Sequence, residues 1–371
     1  MKRAVTKVQA IIVIVIIVVA VAAAAVYIEF GSSPSKANVS VTLPWLVAGY
    51  NAPFYAALDQ GYYAQHGLNV SVAQGTGSGI AIKAVASGSF NFAEVDLPTA
   101  MVAMSQGLNI ISVGAIDQVS GLSAIAVANR NNLTSPTSIE GLTWGYHPGG
   151  AGPVAFDTFL TVNNIPASSI KSNTSIGYPE EQFVMSGSVD FITEFLNYEA
   201  VNVMDAGYVP STLPFFNWGV SDYGFGLITS TTFAKANPSV VSAFVAATIQ
   251  GEIYTMQNPT QAIQIVQKYV PDANTTLLRD QLATTFAYKM WTSGDAATQG
   301  VWYQSAARWN SMSTVLKPIL GTTNTNVSGM WTNQYLPASS SRQIPSSLGT
   351  ITGANVPGKG YDQTVTASGI S

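Results

Sequence analysis

Aromatic side chains cluster just after the first predicted strand of this chain. Trp45 lies near the end of an apolar strand pattern at 39–47, Tyr50 lies between this pattern and a helix pattern at 53–65, and Asn51 follows Tyr50 directly. Flat rings at the edge of a cleft give a planar ligand a surface on which to stack. We therefore predict that Trp45, Tyr50 and Asn51 contact a ligand. Packing within the core is the alternative interpretation for the rings.

Two glycine-rich turns, GTGSG at 75–79 and HPGGAG at 147–152, each separate a predicted strand from a predicted helix. Exposed amides at the start of a helix can hold an anion or a carbonyl oxygen. Neither turn has the spacing of a Walker A loop or of a dinucleotide-binding loop. A plain flexible turn is an equally favoured interpretation. The residues predicted here as ligand contacts are Gly75, Thr76, Ser78, His147 and Gly149.

Acidic residues are few in this sequence, so those at predicted strand ends stand out. Asp96, Glu194 and Glu199 hold such positions, and a carboxylate there can accept hydrogen bonds from an amino-substituted ring. Glu199 is the strongest candidate, and its neighbours Asn197 and Tyr198 are predicted to contribute with it. For Asp96, a helix N-cap is as well favoured as a ligand contact. The predicted cleft loops contain no Arg or Lys.

The composition argues against several other classes of function. The chain has no cysteine and only two histidines, His66 and His147, without a metal-binding spacing, so no metal site and no cofactor are expected. We find no nucleophile paired with a base, and therefore expect no enzymatic activity. The formal net charge of -4 gives no basic surface for nucleic acid.

The elements that must position these residues form an α/β pattern of alternating strands and helices, which predicts largely parallel sheets. We place a first lobe at 39–125 and 225–338, with a second lobe at 126–224 inserted into it. Ligands of open α/β sheets bind outside the carboxyl ends of the strands, which brings the candidate residues into one cleft. Residues 339–371 are rich in Ser, Thr, Gly and Pro, and predict a poorly ordered tail.

The amino terminus carries a membrane signal. Lys2, Arg3 and Lys7 precede an apolar run at 8–28, which is long enough to cross a bilayer and is oriented with the amino terminus in the cytoplasm. We favour an uncleaved transmembrane anchor at 1–30, and a cleaved signal peptide is the alternative. A polar linker at 31–38 then leads to the folded part outside the membrane.

The order of several motifs resembles the substrate-binding proteins of ABC importers, in the group shared by nitrate, sulfonate, taurine and thiamine-precursor binders. The matching segments are APFYAALDQGYY at 52–63, GLNV at 67–70, IKAVASGSFNFAEVDLPTAM at 82–101, SIEGLTWGYHPGG at 138–150, NYEAV at 197–201, NPSVVSAFVAATIQG at 237–251 and TNQYLP at 332–337. Together they cover most of 39–337, and they are specific as a set rather than singly.

The resemblance implies a bilobal fold of the type II periplasmic-binding-protein kind, with a hinge that closes on a small molecule and delivers it to a permease and its ATPase. Members of the pyrimidine branch hold the ring with an aromatic residue and a Glu, which match Trp45 and Glu199. Many of these members have His where this chain has Asn51. Related fungal enzymes need that His and a Cys-rich motif, so the sequence favours binding of an aminopyrimidine over synthesis. A nitrate, sulfonate or bicarbonate ligand is the alternative.

Overall fold

Two five-stranded sheets organise the part of the chain that the computed structural model describes, residues 36–320 and 326–370. The strands are β1 (Ala37–Thr42), β2 (Leu68–Ala73), β3 (Phe92–Asp96), β4 (Ile110–Ala115), β5 (Leu122–Val127), β6 (Thr143–Tyr146), β7 (Ser172–Ser175), β8 (Phe191–Phe195), β9 (Pro210–Pro214), β10 (Phe225–Ser230), β11 (Thr350–Val356), β12 (Gly360–Thr366) and β13 (Gly369–Ile370). The α-helices are α1 (Ala52–Asp59), α2 (Tyr62–Gln65), α3 (Ser78–Ala86), α4 (Leu97–Ser105), α5 (Gly152–Val162), α6 (Glu181–Ser186), α7 (Glu199–Asp205), α8 (Thr231–Ala236), α9 (Pro238–Gln257), α10 (Pro259–Tyr269), α11 (Thr275–Ala287), α12 (Ala296–Gln299) and α13 (Ala306–Leu316).

The first sheet, the core of lobe 1, has the strand order β2-β1-β3-β10-β4. Its middle strand β3 reads FAEVD, and all five residues are buried, as expected for a strand that is covered on both faces. β1 pairs in parallel with β3, whereas β10 is antiparallel to both β3 and β4. The expectation of a largely parallel sheet is therefore corrected to a mixed sheet.

The second sheet, the core of lobe 2, repeats this arrangement in the order β7-β6-β8-β5-β9. β6 is parallel to β7 and β8, and β5 is antiparallel to β8 and β9. β5 and β10 are each antiparallel to both of their neighbours, and each is the first strand after the chain crosses from the other lobe. Because β5 belongs to lobe 2, the first crossover lies at 116–121, and the predicted lobe boundary at residue 125 is too late by several residues.

The two crossovers, 116–121 and 215–224, are bonded to each other and form the hinge of the molecule. The Asp117 amide donates to the Phe225 carbonyl oxygen at 2.8 Å, and the Gly224 amide donates to the Asp117 carbonyl oxygen at 3.0 Å. Arg308 of α13 donates from Nη2 to the carbonyl oxygens of Gln118 at 2.6 Å and Ser221 at 3.2 Å. One guanidinium thus bonds to both connections between the lobes.

The carboxyl-terminal segment is ordered, which corrects the prediction of a poorly ordered tail at 339–371. β11, β12 and β13 form a three-stranded antiparallel sheet. Ile351, Val356 and Val365 are buried, and the Tyr288 hydroxyl at the end of α11 donates to the Pro357 carbonyl oxygen at 2.8 Å. The composition of this segment did not reveal the sheet, because only a few apolar side chains are needed to pack it against α11.

The amino-terminal prediction falls mostly outside the described part of the chain. The apolar run at 8–28 and most of the linker are not among the described residues, and β1 begins at Ala37, within the predicted linker. Among the residues that the structure does describe, no helix combines the length and apolar character needed to span a membrane.

Lobe 1 and the hinge bury five carboxylates that belong to neither of the two ion pairs found among the described residues: Glu94, Asp96, Asp117, Asp222 and Glu252, each at most 5% exposed. Burial raises the pKa of Asp96, Asp117 and Asp222 to about 7. It also raises the pKa of Glu252 to about 8, although Glu252 accepts a hydrogen bond from the Trp302 indole nitrogen. These groups favour the protonated form in the folded chain.

We expect the folded protein to become more stable as the pH is lowered from about 8 to about 4.5. A carboxyl whose pKa is raised by folding contributes stability that is complete below its unfolded pKa of about 4 and is lost as the pH rises through the folded value. Thermal unfolding of the purified full-length chain, followed by circular dichroism between pH 4.5 and 8, measures this trend.

Glu252→Gln keeps an acceptor for Trp302 and removes one titrating group, so it should flatten the dependence of the melting temperature on pH. Glu140→Gln is the matched control, because Glu140 is exposed. A melting temperature that rises with pH across this range would contradict the assignment.

Candidate ligand-binding site

A narrow cavity lies between the two lobes, where the loops after the strands of both sheets meet, and together with the open solvent at its mouth it encloses about 370 Å³. Its lining comes from both lobes and from several distant segments of the chain. From lobe 1 and its return strand come Pro44, Trp45, Tyr50, Gly77, Ser78 and Phe225, and from lobe 2 come Gly150, Ala151, Tyr178, Glu180, Glu194, Phe195 and Glu199. The cavity therefore exists only while the two lobes are closed on each other.

The mouth of the cavity is covered by Trp45 of lobe 1 and Tyr178 of lobe 2, which we call the aromatic clasp. Their ring centroids lie 3.5 Å apart with a 51° angle between the planes. The Tyr178 hydroxyl donates to the Thr76 carbonyl oxygen at 2.9 Å and lies 2.7 Å from Nδ1 of His147. The Tyr178 ring also stacks on His147 at 3.9 Å. The contacts of Tyr178 with Trp45 and Thr76 cross from one lobe to the other and stabilise the closed state, whereas His147 supports Tyr178 from within lobe 2.

The two glycine-rich turns meet directly beside the clasp. The Gly79 amide donates to the Gly149 carbonyl oxygen at 3.2 Å. Gly77 has φ +126°, and a Cβ atom placed on it would come within 2.4 Å of that same oxygen. Only glycine fits there, because any side chain would both strain the backbone and separate the lobes.

Three rings form an apolar wall deeper in the cavity. Tyr50 follows β1 in lobe 1 and is 3% exposed, and its ring stacks on Phe225 at 5.5 Å. Phe225 begins β10 and also stacks on Phe195 of lobe 2 at 4.5 Å. A flat ligand that entered here would contact ring faces from both lobes.

Three buried carboxylates, Glu180, Glu194 and Glu199, face this aromatic wall, and they are only 3%, 5% and 4% exposed. Burial raises the pKa of Glu180 to about 8, with repulsion from Glu181 as a further cause. Burial also raises the pKa of Glu194 and of Glu199 well above the usual value, and the nearby carboxylates add to this effect. Among the described residues that line the cavity, none is basic.

Oxygens of Glu180, Glu181 and Glu199 lie within 4.8 Å of one another, a spacing that could hold a metal ion. The sequence did not lead us to expect such a cluster, because Glu199 lies on a different helix from the adjacent pair Glu180 and Glu181, and the cluster includes no histidine. Glu181 is held in place by Asn202, whose Nδ2 donates to Glu181 Oε1 at 3.0 Å.

The sequence-predicted residues divide into lining and supporting positions. Trp45, Tyr50, Ser78 and Glu199 line the cavity. Thr76 and Gly149 lie at its rim and make the interlobe contacts described above, and His147 supports Tyr178 there from within lobe 2. Asn197 and Tyr198 also act between lobes: Asn197 Nδ2 donates to Thr285 Oγ1 at 2.9 Å, and Tyr198 interacts with the Trp45 indole.

Three further predicted residues do not line the cavity, and their hydrogen bonds instead support the segments that do. Asn51 accepts from the Ala48 amide at 2.9 Å and donates to Glu94 at 2.7 Å. The Gly75 amide donates to the Trp45 carbonyl oxygen at 3.0 Å. Asp96 is the N-cap of α4 and accepts from the Thr99 amide at 2.9 Å, as in the structural alternative given above.

We did not predict Tyr178, Glu180, Phe195 and Phe225 as site residues, and Glu194 was a weaker candidate than Glu199. Tyr178 and Glu180 follow β7 directly, so the rule of strand carboxyl ends could have found them. Phe225 begins an antiparallel strand, so its position at the cleft follows only from the observed strand direction.

Two lobes joined by a short hinge, with a closed cavity of rings and carboxylates between them, define a clamp for a small ligand. Residues 48–262, more than half of the chain, match the family model described as NMT1/THI5 like. The chain belongs to this family.

The comparisons with known proteins give relatives with different named roles. A formylaminopyrimidine-binding protein of Halalkalibacterium halodurans is 25% identical over 246 residues, which cover 65% of this chain and 73% of that protein. The riboflavin-binding protein RibY of Chloroflexus aurantiacus is 23% identical, and the match covers 83% of this chain and 89% of that protein. A 4-amino-5-hydroxymethyl-2-methylpyrimidine phosphate synthase of Legionella pneumophila is 21% identical, and the match covers 69% of this chain and 81% of that protein.

Solved structures match in fold. The periplasmic aliphatic sulphonate binding protein SsuA of Escherichia coli superposes with a TM-score of 0.63 at 11% identity, covering 81% of this chain and 99% of that one. This likeness establishes the two-lobed periplasmic-binding-protein fold, and the low identity carries no information about the ligand.

We expect Tyr178→Phe to shift the chain from closed towards open forms by about twofold to tenfold, because it removes a hydrogen bond worth about 0.5 to 1.5 kcal/mol and leaves the ring in place. Single-molecule energy transfer between dyes on Lys83→Cys and Lys171→Cys measures the two populations, since the chain has no cysteine of its own. Tyr208→Phe is the control, because Tyr208 is 37% exposed and Tyr178 36%. Identical distributions in the Tyr178→Phe and parent proteins would show that the hydroxyl does not hold the lobes.

Proposed function

We propose that this chain is the extracytoplasmic solute-binding protein of an ABC importer, which captures a small planar heterocycle of the aminopyrimidine class and delivers it to a permease and its ATPase. In this proposal the apolar run at 8–28 anchors the protein, and the folded lobes lie outside the membrane. Hinge closure around the ligand is the mechanism.

The observation that carries the proposal is the pairing of ring faces with carboxylates in one closed cavity. Trp45 and Tyr50 offer flat surfaces, and Glu194 and Glu199 offer hydrogen-bond acceptors beside them. An aminopyrimidine presents a flat ring and N–H donors, so it matches both. The names of the formylaminopyrimidine-binding and riboflavin-binding relatives support a flat nitrogen heterocycle.

The anionic alternatives of nitrate, sulfonate and bicarbonate are disfavoured by the same cavity. An anion would have to enter a space with three buried carboxylates and, among the described lining residues, no Lys, Arg or His. A buried anion without a positively charged partner is costly. The glycine-rich turns offer little compensation, because the Gly79 amide already donates to Gly149.

The alternative function from another class is that of a synthase on this fold, because one relative is named as a synthase. The chain has Asn51 where such an enzyme would need His, and Asn51 is committed to Ala48 and Glu94. The absence of cysteine also removes the second motif that the resemblance associates with synthesis. Binding without chemistry is therefore the better match to these residues.

A thermal-shift panel of the purified full-length chain tests the proposal, with an aminopyrimidine, riboflavin, ethanesulfonate and nitrate as ligands. A true ligand at about 100 times its dissociation constant should stabilise the fold by about 2.7 kcal/mol. We expect the aminopyrimidine to do so. A shift with ethanesulfonate or nitrate and none with the aminopyrimidine would overturn the proposal.

Trp45→Ala should weaken aminopyrimidine binding by about twofold to tenfold, because stacking contributes about 0.5 to 1.5 kcal/mol beyond burial. Isothermal titration calorimetry gives the dissociation constants. Tyr361→Ala serves as the control, since Tyr361 is 54% exposed in β12 and does not line the cavity. Equal affinities for Trp45→Ala and the parent chain would remove the stacking role.

A further inference from the structure

The cavity brings together several acidic side chains without a basic partner. Glu180, Glu194 and Glu199 line it, and Glu181 lies next to them. The two ion pairs among the described residues, Lys268 with Asp59 and Arg279 with Asp280, involve none of these glutamates. A carboxylate this deeply buried stays ionised only when a positive group pairs with it. Nothing in the described part of the lining supplies the partner, so a ligand is the natural source.

Two of these carboxylates have an oxygen without a hydrogen-bond donor. Glu199 Oε2 accepts from the Phe195 amide at 3.0 Å. By contrast, Glu194 Oε1 and Glu181 Oε2 are buried and have no partner among the described residues. A buried acceptor without a donor costs about 1 to 3 kcal/mol, and more when it is charged. Glu194 lines the cavity itself, so a donor on the ligand could reach it.

The aromatic walls distinguish an organic cation from a bare metal ion. Hard metal ions take a shell of oxygen ligands and gain little from rings. Here five rings line the same space as the carboxylates: Trp45, Tyr50, Tyr178, Phe195 and Phe225. Ring faces attract positively charged nitrogen groups, and more strongly where water is excluded.

We infer that the site selects a heterocycle that carries a positively charged nitrogen substituent, an ammonium or amidinium group, and that Glu194 receives this group together with Glu199. The inference rests on the proposed function and narrows it from amino-substituted rings in general to cationic ones. Glu199 is fixed by a backbone amide, whereas Glu194 keeps a free oxygen, so Glu194 is the residue that distinguishes a charged from a neutral substituent.

Three 4-amino-2-methylpyrimidines that differ only at C5 test the inference. At pH 7.5 an aminomethyl group is positive, a formamidomethyl group is neutral and a carboxymethyl group is negative. Calorimetric titration of the full-length chain should give a dissociation constant at least about tenfold lower for the aminomethyl probe than for the formamidomethyl probe, with no binding of the carboxymethyl probe.

Glu194→Gln removes the charge and keeps the shape, so it should abolish this preference: the aminomethyl probe weakens by about tenfold or more, and the formamidomethyl probe keeps its affinity. The control Glu140→Gln changes an exposed glutamate and should leave both affinities unchanged. If Glu194→Gln does not fold, Glu180→Gln at the same cavity provides the second variant. The preference of the parent chain for the aminomethyl probe over the formamidomethyl probe then decides whether the inference holds.

Equal affinities for the positive and neutral probes would overturn the inference and leave the proposed function intact. Binding of ethanesulfonate or nitrate with no binding of any pyrimidine would overturn both. Titration with Zn²⁺, Mg²⁺ or Ca²⁺ alone is the final arm. Tight metal binding that Glu194→Gln leaves unchanged, without binding of the aminomethyl probe, would assign the carboxylates to a metal and reject the organic cation.

Discussion

The burial of carboxylates where the two lobes meet is the constraint on which the site depends. Glu180, Glu194 and Glu199 lose water when the lobes close, and the described lining offers them no basic side chain in return. Closure therefore leaves an uncompensated cost at the centre of the molecule. A ligand with positive charge and N–H donors removes that cost only when both lobes surround it, so binding and closure are linked.

The rest of the architecture makes this closure specific. Arg308 bonds to both crossovers and so holds the two connections between the lobes together. At the opposite side, Gly77 lets the backbones approach to contact distance, and Tyr178 reaches across to Thr76. The rings deeper in the cavity then select a flat molecule. Each of these contacts stabilises the closed form modestly, and the ligand supplies the remainder.

Local patterns in the sequence predicted the two-lobed α/β fold and part of the site. Trp45 and Glu199 were found because each lies next to a predicted element boundary. Phe225 was missed because strand direction depends on long-range pairing, and no local pattern encodes it. The three-stranded sheet at 350–370 was missed because its small apolar side chains gain stability only from the helix beneath them. The cluster of acidic side chains in the cavity could not be predicted from local patterns either, since Glu180 and Glu199 lie on different elements that only the fold brings together.

A crystal structure of the full-length chain with the aminomethyl-substituted aminopyrimidine tests the central claim most directly. We expect the ring between the side chains of Trp45 and Tyr50, and the ammonium nitrogen at about 2.7 to 2.9 Å from Glu194 Oε1, the range of a charge-assisted hydrogen bond. The lobes should be closed, with Tyr178 on Thr76. A ring bound outside the cleft, or inside it with Glu194 facing only water or protein, would contradict this account of the site.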